Sequence, residues 1–409
     1  MDKRPRRAAD TIARHAAQSL LPTVLGIAVS LAVVRGHGAE AWGRFVAQLL
    51  VWQLAAHVVG WGNKDQVVRA VARDGADLGA TFRAHLRARV TLLLPVTALA
   101  GWLFGLWNAW PQVALVFGAL WLALRAVSQS FEAVILVQQH FLRAAAVEAA
   151  ATLVVLGCVL GGLLVAPGAA VTALLGLFVL GETMRVAGLS ALFPLAWMRS
   201  ASAPPPSAHS DSWAILRGGV PFFLMGAAGM VGSRVDLYCV SALLPAAEVA
   251  RYQMLVNALL WLQSIAGLML LPFARTLYRM AHHALWRLNL RFLALGVVIA
   301  LPGVAVVGLL MRHGYGFDVD AATLAVSALY VAQMFAQTPA IYAMLKAGLE
   351  RKVLGTTVAV TVGNLALNLV LIPRLGALGA LVASTVVGWG AAAAYLARAR
   401  KLSLQTDLA

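Results

Sequence analysis

Four polar residues share one helix face in the apolar segment Val113–Gln138: Arg125, Ser128, Gln129 and Glu132. The last three follow Arg125 at positions i+3, i+4 and i+7, which are neighbours on a helix surface. A guanidinium stays charged in proteins, and placing one at the centre of a membrane helix costs about 2.5–3.5 kcal/mol. A chain keeps such a residue only where a cavity, water or a counter-charge receives it. The pattern therefore predicts a solvated cavity that handles a negatively charged group.

Phosphate is the anion that Arg125 suits best, because a guanidinium fork matches the oxygens of phosphate groups. The alternative is a structural ion pair with Glu132 or with an acid on a neighbouring helix. Seven residues separate Arg125 from Glu132, which is about 10 Å along a helix and long for a direct pair. We assign Arg125, Gln129 and Glu132 to a candidate substrate site, with ion pairing as the alternative for Arg125.

A second group of charges lies in the apolar segment Leu216–Leu244. Arg234 is about 27 Å along a helix from Leu216, and we place it in the outer third of a hydrocarbon core of roughly 30 Å. It either lines the substrate path or anchors the helix by snorkelling to the interface. Asp236 is two residues further on and does not face Arg234 on a helix. We predict that Arg234 binds substrate and that Asp236 binds a coupling cation or proton.

Amide and hydroxyl side chains recur along one face of the segment Val353–Ile372. Thr357, Thr361, Asn364 and Asn368 follow one another at positions i, i+4, i+7 and i+11. The stripe could line a path for sugars, or it could join helices through hydrogen bonds worth roughly 0.6 kcal/mol each. Both interpretations stay open, and Asn364 and Asn368 join the candidate substrate site.

The remaining polar and sulfur-containing residues have simpler interpretations. Glu182 and Arg185, at positions i and i+3, predict a local salt bridge near the inner end of the sixth apolar segment. Cys158 and Cys239 lie alone in separate apolar segments and predict no disulfide. The sequence has no Gly-rich phosphate loop, no His-Glu-x-x-His motif and no Cys/His cluster with metal spacing. We expect no cofactor, no metal and no catalytic residue.

Membrane helices must position these residues, because the chain is too apolar for a soluble domain. Of 409 residues, 61% are hydrophobic and 12% are charged, against about 45–50% and about 25% in soluble domains. The apolar residues form runs of bilayer-spanning length, which predicts an all-α polytopic membrane protein. The net charge of +16 lies in short joints between runs, so membrane topology explains it better than nucleic-acid binding.

Reading the runs between charge clusters and turn residues predicts twelve spans. They are Ala13–Val34, Ala41–Gly62, Ala84–Trp107, Val113–Gln138, Ala144–Ala166, Gly168–Met198, Leu216–Leu244, Val249–Phe273, Asn289–Met311, Ala321–Leu345, Val353–Ile372 and Ala377–Ala397. The first is long enough to be an uncleaved helix. The inner joints hold most of the lysines and arginines, including Lys64, Arg69, Arg87 and Arg89. This bias predicts that both termini are cytoplasmic.

The chain midpoint is marked by a Pro- and Ser-rich polar segment, residues 200–212, which predicts a cytoplasmic linker. It separates an N-terminal six-helix lobe, residues 1–199, from a C-terminal six-helix lobe, residues 213–409. Similar joints recur in the two halves at offsets of 206–208 residues, beginning at Ala39 and Ala247 and at Ala166 and Ile372. We therefore predict two lobes related by a parallel repeat, with a central cavity between them.

Several small-residue motifs resemble those of polysaccharide exporters of the multidrug/oligosaccharidyl-lipid/polysaccharide superfamily. These motifs are Gly38–Phe45, Arg234–Asp236, Glu248–Tyr252, Leu345–Lys352, Asn368–Pro373 and Arg374–Ser384. The resemblance covers nearly the whole chain and is greatest to Wzx-type O-antigen flippases. It implies a flippase that moves an undecaprenyl-diphosphate-linked oligosaccharide, an O-antigen or exopolysaccharide unit, across the bacterial inner membrane by alternating access. It also implies membrane lipid and other polysaccharide assembly proteins as partners, and a proton or sodium ion for coupling.

Two other functions stay open as alternatives. One is a drug or metabolite exporter of the same superfamily, whose members often carry an Asp in the first helix, whereas Ala13–Val34 contains no acid. The other is a membrane polysaccharide polymerase or ligase, whose large outer loop does not fit the short outer joints predicted here. The superfamily branch that flips the peptidoglycan precursor typically has two further helices. The prediction is a flippase that is not an enzyme.

Overall fold

The computed structural model describes residues 3–107, 112–138, 140–165, 171–193, 212–270, 273, 277 and 279–406, and the regular elements within them are helices. The helices are α1 (Lys3–Gly60), α2 (Asn63–Asp74), α3 (Leu78–Trp107), α4 (Gln112–Gln138), α5 (Phe141–Val165), α6 (Val171–Leu192), α7 (Ser212–Leu243), α8 (Ala246–Leu270), α9 (His282–Leu309), α10 (Ala321–Lys346), α11 (Glu350–Leu375) and α12 (Ala377–Thr406). A single π-helical turn, Leu310–Tyr315, extends α9.

Ten of the helical stretches in the described part of the chain are long and apolar enough to cross a membrane. The all-helical, multi-pass membrane class predicted from the sequence is therefore confirmed. Helix α1 contains the first two predicted spans, and between them Gly38 leaves the helical conformation with φ 86° and ψ 164°. Glycine adopts this conformation at little steric cost because it has no Cβ. The twelve-span arrangement and the duplication stay predictions.

The chain divides into two compact units. We call Val24–Met230 the first unit, and Val231–Ala409 together with Met1–Thr23 the second unit. The division falls inside α7. Residues 200–211 of the predicted linker lie outside the described residues, so the predicted lobe boundaries stay a prediction.

Helix α2 is an amphipathic helix that the sequence analysis treated as a joint between spans. Its N-cap, Gly62, has φ 65°, and a Cβ there would lie 2.6 Å from the Cβ of Phe222. Beside this close approach, Trp61 Nε1 donates to the carbonyl oxygen of Leu216 at 2.6 Å. Gln66 Nε2 donates to the carbonyl oxygen of Ile215 at 3.1 Å. These contacts hold α2 against the start of α7.

The core of the first unit is built where α1, α4 and α6 pack together. The buried indole of Trp52 lies against Gly118, where a Cβ would come within 1.9 Å of the ring. Leu122 and Val59 are fully buried in the same cluster. Glycine at this contact lets α1 approach α4 closely, as small residues do at membrane helix interfaces.

Helix α10 forms the centre of the second unit and packs against α8, α9, α11 and α12. Its interior face carries the buried residues Val331 and Phe335, and Phe335 packs against Gly296 of α9. At its start, the Thr323 N–H donates to Asp320 Oδ1 at 3.1 Å. Hydrogen bonding from the Thr323 side chain and then from its backbone N–H lowers the pKa of the Asp320 carboxyl, and the N–H bond caps the helix.

Candidate functional site

The first unit contains a cluster of charged residues between α4, α5 and α6. We define the Glu182 cluster as Arg125, Ser128, Glu148, Glu182 and Arg185. Glu182 is only 4% exposed, and its Oε1 lies 3.6 Å from Nη1 of Arg125. Its Oε2 accepts a hydrogen bond from Arg185 Nη1 at 3.0 Å. A carboxylate buried among apolar helices needs such partners, since an unpaired buried charge is strongly destabilising.

Two further contacts complete this cluster. Ser128 Oγ donates to Glu182 Oε1, and the second branch of the Arg185 guanidinium pairs with Glu148. The predicted salt bridge between Glu182 and Arg185 is confirmed. The sequence predicted a local pair, whereas in the structure this pair also contacts Arg125 and Ser128 of α4 and Glu148 of α5.

Arg125 is the loosest member of the Glu182 cluster. Its side chain is 28% exposed, and its contact with Glu182 is longer than a hydrogen bond. Within the described residues, its guanidinium donates no hydrogen bond. Of the two ion-pair partners considered for Arg125, the structure supports an acid on a neighbouring helix, Glu182. Among the described residues, no ion pair joins Arg125 to Glu132. Donors of Arg125 remain available to an anion.

Gln129, one turn beyond Arg125, is held by a residue that the sequence analysis missed. Arg89 of α3 is only 2% exposed, and its Nη2 donates to Gln129 Oε1 at 3.2 Å. Its other donors reach Ser130 Oγ at 2.6 Å and the carbonyl oxygen of Val59 at 2.8 Å. Glu132, further along the same face, is partly buried.

The assignment of Arg89 to a cytoplasmic joint is therefore wrong. Arg89 lies inside α3 and binds groups of α1 and α4, because its three donor positions meet acceptors there. The signal was present in the sequence. Arg89 falls within the predicted span Ala84–Trp107, so it could have been treated as an intramembrane charge in the way that Arg125 was.

The second unit contains a buried polar cluster contributed by α7, α8, α11 and α12. We define the Asp236 cluster as Asp236, Tyr252, Asn364, Asn368 and Ser384. Asp236 is 3% exposed; its Oδ2 accepts hydrogen bonds from the Tyr252 hydroxyl at 2.6 Å and from Ser384 Oγ at 3.3 Å. Its Oδ1 accepts the Leu237 N–H at 2.8 Å.

The two asparagines extend this cluster along α11. Asn364 Nδ2 donates to Ser384 Oγ at 3.3 Å, and Asn368 Nδ2 donates to Asn364 Oδ1 at 2.7 Å. Asn368 is fully buried, and its Oδ1 has no hydrogen-bond donor among the residues that the structure describes. An orphaned buried acceptor is costly, and it is an oxygen ligand available to a cation.

The structure thus brings Asp236 together with Asn364 and Asn368, which were predicted from a separate pattern. Tyr252 and Ser384 were not assigned to a site, although each ends one of the motifs that carried the family resemblance. They lie 16 and 148 residues from Asp236 along the chain, so the sequence did not show that they contact it. Carboxylate, amide and hydroxyl oxygens are the ligands that hard cations prefer.

Arg234 does not belong to the Asp236 cluster. Its Nη1 donates to Asn257 Oδ1 of α8 at 2.8 Å, and its side chain is partly buried. The expectation that Arg234 and Asp236 do not face each other agrees with these separate partners. Arg125 and Arg234 lie in different units.

Solved transporter structures match this architecture over almost the whole chain. A lipid II flippase, MurJ, in an inward closed conformation, has a TM-score of 0.66 at 10% identity, covering 96% of this chain and 90% of that chain. An inward-facing multidrug resistance MATE family transporter of the MOP superfamily has a TM-score of 0.67 at 15% identity, covering 97% and 99%. This chain has the fold of the MOP superfamily transporters.

A third transporter with the MOP fold, from Pyrococcus furiosus Vc1 (DSM3638), has a TM-score of 0.54 at 13% identity, covering 96% of this chain and 95% of that chain. No family model matches the sequence, and no curated protein is similar to it in sequence. Identities this low establish the MOP fold alone, so the substrate must be argued from the chemistry of the two clusters.

Proposed function

We propose that this chain is a flippase that carries an undecaprenyl-diphosphate-linked oligosaccharide, an O-antigen or exopolysaccharide unit, across the bacterial inner membrane. The observation that carries the proposal is Arg125, an intramembrane arginine that is 28% exposed and only loosely paired with Glu182. Such a guanidinium suits a diphosphate, because both its charge and its fork geometry match phosphate oxygens.

The MOP fold supports a carrier that acts by alternating access, and one matched structure is itself a lipid II flippase. In the proposed arrangement, twelve spans form two six-helix lobes with both termini in the cytoplasm. The Wzx-type branch is proposed from the motif resemblance. Binding and release suffice for this activity, so no covalent step is needed. Other polysaccharide assembly proteins are the proposed partners.

Two kinds of interaction are proposed to recognise the substrate: charged side chains bind the anionic head, and neutral hydrogen bonds bind the saccharide. Arg125 in the first unit and Arg234 in the second are each proposed to bind the anionic head, and a hydrogen bond to Asn257 positions the Arg234 guanidinium. Gln129 and Glu132 extend the Arg125 face, where Arg89 orients the Gln129 amide. The saccharide, being rich in hydroxyl groups, is matched by amide side chains.

The Asp236 cluster is the proposed coupling site. One carboxylate, two amides and one serine hydroxyl supply oxygen ligands, and Asn368 Oδ1 is free to accept. A sodium ion would be bound by these oxygens, whereas a proton would be carried by Asp236. Asn364 and Asn368 were first predicted to bind substrate; their contacts with Ser384 and with each other favour the coupling site for them.

A drug or metabolite exporter is the second candidate, and the MATE transporter favours it through a comparable TM-score. Gene deletion separates the two functions. A flippase deletion should leave lipid-linked saccharide on the cytoplasmic leaflet and remove the surface polysaccharide. A deletion strain with normal surface polysaccharide and increased sensitivity to drugs would support the exporter and refute the flippase.

A further inference from the structure

We infer that Glu182 makes the Arg125 site selective for a diphosphate over the single-phosphate head groups of bulk phospholipids. The inference rests on the proposed function, since it concerns the same anion site. It assigns a role to a buried carboxylate that substrate binding by Arg125 alone does not require.

The contacts of Glu182 are unequal. Oε2 accepts a hydrogen bond from Arg185 at 3.0 Å and Oε1 accepts one from Ser128, whereas Arg125 is 3.6 Å from Oε1. If Arg125 turns toward an incoming anion, Glu182 keeps Arg185 and Ser128. The carboxylate is then not left buried and unpaired, so its largest penalty is avoided.

The charges of the cluster cancel. Arg125 and Arg185 carry two positive charges, and Glu148 and Glu182 carry two negative charges. A phospholipid phosphodiester has one negative charge, as the Glu182 carboxylate does. If the phosphodiester replaced Glu182 as the partner of Arg125, the electrostatic energy would therefore change little. A diphosphate brings more charge and more oxygens to the guanidinium and therefore competes better.

Such discrimination matters because the site lies in a chain surrounded by anionic lipid, which attracts basic side chains. An unpaired arginine would bind these abundant head groups. Specificity of this kind comes from an element that disfavours the wrong ligand as well as from contacts to the right one. Glu182 supplies that element.

The test uses the full-length protein in nanodiscs of phosphatidylcholine, with and without phosphatidylglycerol. Undecaprenyl diphosphate and inorganic pyrophosphate are the two binding probes. Wild-type affinity should change little when phosphatidylglycerol is added. Glu182→Gln should bind both probes about tenfold more tightly in phosphatidylcholine, within the usual range of coupling between charged sites, and should lose this gain in phosphatidylglycerol. A merely structural residue would not produce tighter binding when replaced.

Glu40→Gln is the matched control, because it removes one carboxylate charge from the first unit at an exposed ion pair with Arg44, outside the Glu182 cluster. It should leave both affinities close to wild type. In the double variant Arg125→Gln and Glu182→Gln, the increase in affinity for the two probes that Glu182→Gln alone produces should disappear. Glu182→Asp keeps the charge but shortens the side chain. It should also bind both probes more tightly than wild type, by less than Glu182→Gln does. This variant provides the test if Glu182→Gln does not fold.

The two proposals fail in different ways. Unchanged affinity and unchanged phosphatidylglycerol competition in Glu182→Gln would overturn the role of Glu182, even if the wild type flips lipid-linked saccharide. Tighter pyrophosphate binding through Arg125, without any transport of lipid-linked saccharide by the wild type, would support the role of Glu182 and refute the flippase.

Discussion

Two arginines within apolar helices of the first unit differ in how completely they are bound. Arg89 is buried, and its guanidinium reaches three acceptors on two other helices. Arg125 is partly exposed and has one loose contact. A guanidinium whose donors are all used stabilises the fold, whereas one with donors to spare can bind a ligand. On this basis Arg89 is assigned a structural role, and Arg125 is proposed to bind substrate.

Replacing Arg125 tests the substrate assignment. Arg125→Ala should lower transport by about tenfold to a hundredfold, the range expected for losing a hydrogen bond to a charged group. Arg125→Lys should restore part of it, because it keeps the charge and loses the fork. Transport is measured in proteoliposomes, with membrane insertion checked by protease protection. Full activity of the inserted Ala variant would reduce Arg125 to a structural residue.

Replacing Arg89 should act on stability. Arg89→Ala leaves two buried acceptors and one partly buried acceptor without this donor, at about 1–3 kcal/mol for each buried group, so the melting temperature in detergent should fall clearly. Arg87→Ala is the control, since Arg87 is an exposed arginine on the same helix, and it should melt like the wild type. Equal melting of the two variants would contradict the structural role.

At the scale of helices, hydropathy predicted the all-helical, multi-pass membrane class, because a bilayer demands long apolar runs with internally satisfied backbones. Helix α2 was missed because it is short and amphipathic, and its basic residues are typical of a loop between two spans. The Asp236 cluster was only partly predicted. A polar residue inside a span is visible in sequence, but which helix face meets which neighbour depends on packing, so Tyr252 and Ser384 stayed unassigned.

Two glycines that flank α2 offer a matched pair for testing its packing. Gly62 and Gly75 both have φ 65°, but only at Gly62 does an added Cβ meet a neighbour, Phe222 at 2.6 Å. Both alanine substitutions should incur the left-handed penalty of about 1–2 kcal/mol. Gly62→Ala should lose more, as read from thermal unfolding in detergent. If Gly75→Ala were equally destabilised, the contact between α2 and α7 would not be important.

For the molecule as a whole, the first unit holds a cluster of paired arginines and glutamates, and the second holds an oxygen-rich cluster with a single carboxylate. This distribution fits a carrier in which one unit recognises an anion and the other binds a coupling ion. From the sequence, each candidate residue could be proposed only from the pattern of its own segment, because a sequence gives no distances between helices that are far apart in the chain.

Coupling can be tested on Asp236 directly. Asp236→Asn should bind the diphosphate probe normally but should no longer respond to an imposed sodium or proton gradient, because the carboxylate proposed to bind either ion is gone. Asp318→Asn, which replaces an exposed carboxylate outside the cluster, is the control and should respond as the wild type does. Gradient-driven transport measured in proteoliposomes decides the matter; a response retained by Asp236→Asn would place coupling elsewhere.

The burial of Arg89 also has a consequence for biosynthesis. Its side-chain partners Gln129 and Ser130 lie 40 and 41 residues later in the chain, so they leave the ribosome after Arg89 does. Until they arrive, a charge inside α3 lacks its acceptors and disfavours entry into lipid. We therefore expect α3 to wait at the translocon and to enter the bilayer together with α4, as a hairpin.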